Sequence, residues 1–227
     1  MSAAAARIHR LVPSRTAFFL CDLQERFRLV VHSYPSVLAT AEKMIKAAMI
    51  MEIPVIATQQ APKAAPPGAN TDAGMSLVDI SENVPLPLHE LPSPSLRPPW
   101  VPLVKTKFSM IVPQVEQQLK EWETKSVVLC GIEAHVCVLQ TALDLLEKGI
   151  DVHVLADGVS SANGDEVGLA IKRMRDSGAQ ITTSESILFQ IMRDADHPGF
   201  KALTGLIKEY DPITRDSLQK LIAGRGF

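Results

Sequence analysis

The sequence predicts an α/β fold in which a parallel β-sheet is covered by helices. Several apolar runs show no alternation with polar residues, which is typical of parallel strands buried on both faces. Helical patterns separate these runs, so that strand, helix and strand follow one another at the spacing of a βαβ unit. The chain of 227 residues, 46% of them hydrophobic, fits one large domain with a sizeable core.

The whole chain, residues 1–227, is predicted to be one domain with three less regular segments. Residues 1–15 are predicted as a flexible tail and residues 201–227 as a helical C-terminal tail. The segment 61–102 holds ten of the sixteen prolines. It is either a linker between domains or an excursion over the active-site face. The excursion, with one strand near 84–91, is favoured because long structureless segments in compact domains are uncommon and often functional.

The first βαβ unit lies in the N-terminal quarter of the chain. The apolar run 16–21, which ends at Asp22, predicts the first strand. An apolar stripe predicts a helix over 33–51, with Pro35 tolerated in its first turn. A second apolar run then predicts a strand over 53–58.

The second half of the chain continues the alternation of strands and helices. A short apolar run at 101–104 is followed by a predicted helix at 112–122 and a strand from 126, which ends in a tight turn at Gly131 before the next helix. A strand at 150–155 and a helix at 164–177, closed by Gly178, come next. The last predicted segments are a strand at 179–183, a helix capped by Ser184, and one or two helices over 200–227 with Asp211-Pro212 between them.

The overall charge and the cysteine content narrow the classes of protein to consider. The net charge of −2 means that the chain has no excess of positive charge that would attract nucleic acid or an anionic membrane. No apolar run has the length of a transmembrane helix, and the N-terminus lacks the apolar core of a secretory signal. An odd number of cysteines, three, argues against a disulfide framework. A reducing compartment, and therefore the cytoplasm, is predicted, while a short mitochondrial transit segment stays open.

The turn at Gly131 leads into a helix whose first turn carries Cys137. A thiol at this position faces unpaired backbone N–H groups and the positive end of the helix dipole, which favours the reactive thiolate. Cys137 is therefore a candidate nucleophile, although it could also be a buried core residue, as free cysteines often are. Cys21 and Cys130 lie inside apolar runs and are predicted to pack in the core.

Three chemically different side chains follow predicted strands: the carboxylate of Asp22, the ammonium of Lys105 and the thiol of Cys137. In open α/β sheets, ligands bind beyond the carboxyl ends of the strands, so the three are expected at one rim. Together they suffice for covalent acyl transfer. Taken singly, Asp22 could cap the next segment and Lys105 could be a solvated lysine, with Lys107 competing for its role.

Motifs for cofactors and metals are missing from the sequence. No GxGxxG or GxxxxGK[ST] motif follows a strand, and the six histidines form no HxH or HExxH pattern. His135 is not expected to pair directly with Cys137, because residues two apart in a helix do not face each other. We therefore predict neither a metal nor another cofactor.

Five segments together resemble the isochorismatase-like superfamily of cysteine hydrolases, and within it the isochorismatase domain-containing proteins. They occur in the family's order and span roughly residues 16–208. The segments are FLCDLQERF (19–27), TQQAPK (58–63), KTKFS (105–109), GIEAHVC (131–137) and HPGFK (197–201).

The resemblance implies a three-layer α/β/α sandwich around a six-stranded parallel, Rossmann-like sheet, in chains that form homodimers or higher homo-oligomers. It assigns Asp22 as acid/base, Lys105 as its cationic partner and Cys137 as nucleophile. It also implies a cis peptide between Ile132 and Glu133, and an oxyanion hole made by the backbone N–H groups of Glu133 and Cys137. The side chains expected around the substrate are those of Phe27, Gln59, Gln60 and His135, together with the 61–102 excursion.

The chain departs from its nicotinamidase relatives at Gln59 and Gln60. Those enzymes carry a metal-binding Asp-x-His…His segment after the second strand, where this chain has the residues QQAPK. The difference argues against a metal and against nicotinamide as the substrate. The long excursion falls where the family shapes its pocket, so the resemblance does not identify the substrate.

Three functions are consistent with these observations. The leading hypothesis is hydrolysis of an amide-type C–N bond in a small molecule through a covalent Cys137 intermediate. The second is hydrolysis of a vinyl ether with release of pyruvate, as in true isochorismatases, with Asp22 as the acid. The third is a catalytically idle binding or scaffolding protein. Secreted isochorismatases of plant pathogens also resemble this family, so unconventional secretion stays open beside the cytoplasm.

Overall fold

The structure, a computed structural model, describes residues 10–61 and 102–223. Its centre is a six-stranded sheet in which every pair of neighbours is parallel, in the order β3-β2-β1-β4-β5-β6. The strands are β1 (Thr16–Cys21), β2 (Val55–Gln60), β3 (Leu103–Lys105), β4 (Ser126–Ile132), β5 (Asp151–Ser160) and β6 (Gln180–Thr182).

In the described parts of the chain, six α-helices cover the two faces of the sheet. They are α1 (Tyr34–Met51), α2 (Pro113–Glu121), α3 (Leu139–Glu147), α4 (Asp165–Asp176), α5 (Ser184–Met192) and α6 (Phe200–Leu221), with short 3₁₀ turns at Pro13–Arg15 and Glu25–Phe27 and a π-helical turn at Ala134–Val138. Among the residues that the structure describes, no helix combines the length and the apolar character needed to cross a membrane.

The predicted three-layer α/β/α sandwich is confirmed by two separate apolar clusters, one on each face of the sheet. Alternating residues of β1 divide between them: Phe18 and Leu20 pack toward α1, α5 and α6, whereas Phe19 and Cys21 pack toward α2, α3 and α4. We call these sides the α1 face and the α3 face. Both faces of β1 are buried, which explains why its sequence is apolar without alternation.

The strand β2 begins and ends two residues later than predicted. The sequence places it at 53–58, but Gln59 and Gln60 continue the strand because they pair with Val104 and Lys105 of β3. β5 also extends beyond its predicted end at 155. A register shift between Leu129 and Gly131 lets β5 pair again with the end of β4, and the strand continues to Ser160.

The C-terminal segment is one helix, the first of the two possibilities that the sequence left open, and Asp211-Pro212 does not interrupt it in the described part of the chain. Pro212 lies inside α6. The buried residues Leu203, Leu206, Tyr210 and Thr214 continue at helical spacing across the proline and pack on the α1 face, where tertiary contacts offset the lost hydrogen bond.

The structure differs from the predictions at the start of α5 and in the N-terminal segment. The residue that caps α5 is Thr183, whose hydroxyl accepts from the N–H of Ser186, and Ser184 is already helical. In the segment predicted as a flexible tail, Leu11 is buried in the core of the α1 face. The strand predicted near 84–91 lies outside the described residues.

Candidate active site

Asp22 lies where β1 ends, at the carboxyl edge of the sheet between β2 and β4. Its φ of 49° turns the chain out of the strand, and its backbone N–H donates to the carbonyl of Thr58 at 3.2 Å. The carboxylate is buried and both of its oxygens have partners. Oδ1 accepts from the hydroxyl of Thr58 at 2.9 Å, and Oδ2 accepts from Nζ of Lys105 at 2.7 Å.

Lys105 ends β3, and its side chain is fully buried. Besides Asp22 Oδ2, its Nζ donates to Gln60 Oε1 at 2.7 Å and to the carbonyls of Phe108 at 2.8 Å and Lys107 at 3.2 Å. An ammonium has three N–H groups, so four oxygens more than satisfy it. The arrangement keeps the charge of Lys105 fixed against Asp22.

The alternative candidate, Lys107, does not pair with Asp22 but with Asp144 of α3. Its Nζ pairs with Asp144 Oδ2 at 2.7 Å, and its side chain is about half exposed. The surface pair of Lys107 and Asp144 tethers the loop after β3 to α3. Of the two lysines that the sequence offers, Lys105 is the one that contacts Asp22.

Gly131 sets the path of the chain into residues 133–138, which we call the Cys137 turn. Its φ is +124°, and a Cβ atom there would lie 2.2 Å from the backbone oxygen of Cys21, so no other residue fits without movement of the backbone. The next peptide, Ile132–Glu133, is cis, in agreement with the family resemblance. Cys137 follows in the π-helical turn and is buried.

The Cys137 turn is held by its own backbone and by the first turn of α3. The carbonyl of Glu133 accepts from the N–H groups of Val136 and Val138, at 3.0 and 3.1 Å. The hydroxyl of Thr141 donates to the carbonyl of Cys137 at 2.6 Å and accepts from the N–H of Met110 at 2.9 Å. These bonds connect the Cys137 turn to the segment that follows Lys105.

Cys21 links the carboxylate, the ammonium and the thiol in space. Its side chain lies in the same apolar cluster as Cys137, and Cys137, Asp22 and Lys105 all influence the pKa of its thiol. Burial raises the pKa of the Cys21 thiol well above its ordinary value, and the contact with Cys137 and the charge of Asp22 raise it further. Cys21 is therefore a protonated thiol, it shares the apolar cluster of the α3 face with Cys137, and its neighbour in sequence, Asp22, is paired with Lys105.

Cys130 lies on the opposite face of the sheet from Cys21 and Cys137. Its thiol is buried, lies on the α1 face and donates to the carbonyl of Phe19 at 3.7 Å. Burial raises its pKa, and the charge of Asp157 adds to the effect. The prediction that Cys21 and Cys130 are core residues is confirmed, and all three cysteines are free.

The side chains predicted to surround the substrate have different environments. Gln60 contacts Lys105 through Oε1 and the carbonyl of Thr106 through Nε2, so both ends of its amide have partners within the protein chain. Phe27 is partly buried against the α1 face, with the guanidinium of Arg26 over its ring at 4.5 Å. Gln59 is buried and points to the face of β2 opposite to Gln60.

Two residues of the Cys137 turn reach the loop after β5. His135 is half-buried, and its Nδ1 is 2.9 Å from the hydroxyl of Ser161. The carboxylate of Glu133 accepts from the N–H of Ala162 at 2.8 Å. His135 is thus directed to Ser161, as expected for a histidine that does not pair with Cys137.

Sequence reasoning missed Thr58 and Gln24. Thr58 supplies the second hydrogen bond to Asp22, and Gln24 Oε1 accepts from the backbone N–H of Gln60 at 3.1 Å. A signal for Thr58 existed, because it is a polar residue at the end of an apolar strand and shares a face with Gln60, two residues later. Within 10–61 and 102–223, no group of three or more histidine, cysteine or acidic residues is arranged to hold a metal ion.

Comparison with known proteins identifies the family. The isochorismatase domain matches residues 16–186. The chain belongs to the isochorismatase-like hydrolase family. Among curated relatives, it is 42% identical over 212 residues to the secreted isochorismatase effector Isc1 of Phytophthora sojae, covering 92% of each chain. It is 40% identical to human isochorismatase domain-containing protein 2, covering 93% of this chain and 92% of the human protein.

A solved structure supports the same fold. The MAR1 ribonuclease of Caenorhabditis elegans is 38% identical to this chain and superposes with a TM-score of 0.73, over 88% of this chain and 93% of the other. The family resemblance read from the sequence is thereby confirmed.

Proposed function

We propose that the protein is a hydrolase that cleaves an amide-type C–N bond in a small molecule through a covalent intermediate on Cys137. The observation that carries the proposal is the buried ion pair between Lys105 Nζ and Asp22 Oδ2, 2.7 Å long, which lies next to Cys21, a thiol whose pKa is raised in part by Cys137. A buried pair of this kind is not needed for stability, since apolar residues of similar volume often serve as well. A pair at the carboxyl edge of a parallel sheet, beside a thiol, is suited to catalysis.

In the first half of the reaction, Asp22 takes the proton of Cys137 and the thiolate attacks the carbonyl carbon. The negative charge that develops on the substrate oxygen is held by the N–H groups of Glu133 and Cys137, a contribution of about 10²–10³ in rate per donor. The C–N bond then breaks as Asp22 returns its proton to the leaving nitrogen, which leaves a thioester on Cys137.

In the second half, Asp22 removes a proton from water and the resulting hydroxide attacks the thioester. The C–S bond breaks, the carboxylic acid leaves and Cys137 recovers its proton. Throughout, the charge of Lys105 prevents the build-up of uncompensated negative charge on Asp22 and Cys137. Neither half of the cycle requires a metal or another cofactor.

The vinyl ether reaction is the second candidate, and the relative named as an isochorismatase effector favours it. In this reaction Asp22 must begin protonated and donate to the terminal carbon of the enol ether, after which water adds and pyruvate leaves. Cys137 would then contribute to the shape of the pocket rather than to bond formation.

One panel of substrates separates the candidates. The purified protein is incubated with small primary amides, with isochorismate and with a short RNA, because one relative is named as a ribonuclease. Release of ammonia, of pyruvate and of RNA fragments is measured. We expect ammonia release that is abolished in Cys137→Ala, strongly reduced in Asp22→Asn and retained in the matched control Cys130→Ala.

Other outcomes of the panel contradict the amide proposal in different ways. Pyruvate release that survives Cys137→Ala but not Asp22→Asn would establish the vinyl ether reaction instead. Full amide turnover by Cys137→Ala would exclude the covalent mechanism. If no substrate reacts and Cys137 alkylates no faster than a free cysteine at about pH 6, the scaffolding hypothesis is the better one.

We also propose that the chain works as a homodimer or a higher homo-oligomer in the cytoplasm, on a small molecule rather than on nucleic acid or a membrane. Leu29 is 95% exposed and the neighbouring Val30 more than half exposed, which supports self-association through the loop after β1. Three free cysteines support a reducing compartment. Sedimentation velocity and cell fractionation test the two statements.

A further inference from the structure

We infer that Thr58 is a positioning residue that makes Oδ1 of Asp22 the oxygen that exchanges a proton with Cys137. The inference rests on the proposed cysteine hydrolase function and assigns the base to one atom. Thr58 is fully buried and its Oγ1 donates to Asp22 Oδ1 at 2.9 Å, while the ammonium of Lys105 contacts Oδ2 at 2.7 Å.

The two oxygens of Asp22 differ because their partners differ in charge. Oδ2 accepts a charge-assisted hydrogen bond from Lys105, the stronger of the two kinds, and the adjacent positive charge opposes protonation there. Oδ1 accepts from a neutral hydroxyl and keeps a second lone pair. A proton from a thiol therefore goes to Oδ1 at lower cost than to Oδ2.

Thr58 also fixes where Oδ1 lies. Its carbonyl accepts from the backbone N–H of Asp22 at 3.2 Å while its hydroxyl holds the side chain, so one residue of β2 orients both parts of Asp22. Since Thr58 is fully buried, it acts through Asp22 and not on the substrate. Gln60 lies on the same face of β2 as Thr58, and its Oε1 accepts from Nζ of Lys105 at 2.7 Å. Two residues of one strand therefore position both members of the ion pair.

The charged and titratable groups that face Asp22 come from three elements. Lys105 approaches from β3, Cys21 precedes Asp22 on β1, and Cys137, in the turn after β4, acts on Cys21. Thr58 is the neutral donor among these neighbours of the carboxylate. Removing its hydroxyl removes one hydrogen bond to a charged group, so the carboxylate should bind its proton more tightly.

The experiment measures alkylation of Cys137 by iodoacetamide as a function of pH, between about pH 4 and pH 9. The rate constant is obtained for the Cys137 peptide by mass spectrometry, and the buried Cys21 and Cys130 serve as internal controls. The full-length wild type is compared with Thr58→Val, which keeps the shape of the side chain, and with Thr58→Ser, which keeps the hydroxyl.

We expect the acid limb of the Cys137 profile to move to higher pH by about one unit in Thr58→Val, the effect of losing a hydrogen bond to a charged group. In Thr58→Ser the limb should coincide with that of the wild type. A residue that only fills space would give the opposite pattern, with the isosteric valine harmless. If Thr58→Val does not fold, Thr58→Ala provides the same loss of the donor.

Two results would overturn the inference by itself: a Thr58→Val profile that superimposes on the wild type, or a Thr58→Ser limb displaced as far as that of Thr58→Val. A different result identifies failure of the proposed function. If wild-type Cys137 alkylates like a free thiol and has no acid limb, the carboxylate and the thiol are not coupled, and both the function and the inference are wrong.

Discussion

The candidate site and the interior of the α1 face each contain a buried lysine and a buried aspartate, but only in the site do the two charges meet. Lys105 and Asp22 are in direct contact at 2.7 Å. In the core polar cluster, which we define as Lys43, Asp157, Ser184 and Thr214, the charges have separate partners. Lys43 Nζ donates to Thr214 Oγ1 at 2.7 Å, and Asp157 accepts from the N–H of Ser184 at 2.8 Å and from its hydroxyl.

The separation has electrostatic consequences in the core polar cluster. Burial raises the pKa of Asp157, an effect that its hydrogen bonds with Ser184 and the charge of Lys43 only partly oppose. Burial lowers the pKa of Lys43, and the charges of Asp157 and Glu185 act in the other direction. Desolvation thus dominates for both charges. Direct contact between the two charges, at the carboxyl edge of the sheet, is therefore what distinguishes the candidate site from the core polar cluster.

The largest expected difference between the two regions is in catalysis. Asp22→Asn removes the proposed base and should lower the rate of amide hydrolysis by about 10²–10⁴-fold. Asp157→Asn makes the same chemical change in the core polar cluster and should leave the rate within about twofold. Initial rates of ammonia release for the two variants, with the folded fraction checked by circular dichroism, measure the difference. Equal losses would mean that the core polar cluster takes part in the reaction.

The second difference concerns a glycine in each region. Gly131→Ala would place Cβ 2.2 Å from a backbone oxygen at a φ of +124°, whereas Gly158→Ala would place it 2.9 Å from Cγ2 of Thr40, a side chain beside Asp157. We expect Gly131→Ala to lower the free energy of unfolding by about 4 kcal/mol or more, and Gly158→Ala by about 1–3 kcal/mol.

Urea denaturation of the two glycine variants gives the comparison. Gly149→Ala is a useful reference, because φ is +73° there but no atom lies within 4 Å of the added Cβ. Its cost should come from backbone strain alone, about 1–2 kcal/mol. A Gly131→Ala variant no less stable than Gly149→Ala would show that the Cys137 turn can shift away from Cys21.

The smallest expected effect is the dependence of stability on pH in the core polar cluster. The pKa of Asp157 is raised in the folded state. Between about pH 4 and that raised pKa, the folded protein therefore keeps a proton on Asp157 that the unfolded protein has released. The stability that Asp157 contributes is therefore present below about pH 4 and is lost as the pH rises through that window.

Asp157→Asn does not titrate and removes this dependence. The excess stability of the wild type over the variant should be largest at about pH 4 and should shrink toward about pH 7, by about 1.4 kcal/mol for each unit of raised pKa. Urea denaturation of both proteins at the two pH values measures it. An excess that grows as the pH rises would mean that Asp157 is stabilised in its charged form.

Much of the fold could be predicted because each of its main strands coincides with a local run of apolar residues. β1 coincides with the apolar run that predicts it, and α1 with the stripe that follows. Asp22 and Lys105 could be placed at one edge because each directly ends such a run. The grouping with Cys137 then needed only the rule that parallel strands bring their carboxyl ends together.

What could not be predicted depends on contacts between distant segments. Thr58 becomes a partner of Asp22 only through the register of β1 and β2, and Gln60 reaches Lys105 only because β2 extends to pair with β3. Pro212 looks like a helix end locally, but packing of α6 on α1 overrides it. The roles of Asp22, Lys105, Cys137 and the oxyanion N–H groups stay predictions that the proposed experiments address.

The surroundings of Lys105 have a consequence for chemical labelling of the protein. Acylating reagents attack the neutral amine of lysine, but here Nζ has four oxygen neighbours and no exposed surface. Lys107, two residues away, is about half exposed and open to the same reagents. In a mass-spectrometric map of acylated peptides, Lys105 would therefore remain unlabelled while the chain is folded and would be acylated once β2 and β3 separate. Acylation of Lys105 thus reports whether this edge of the sheet is intact.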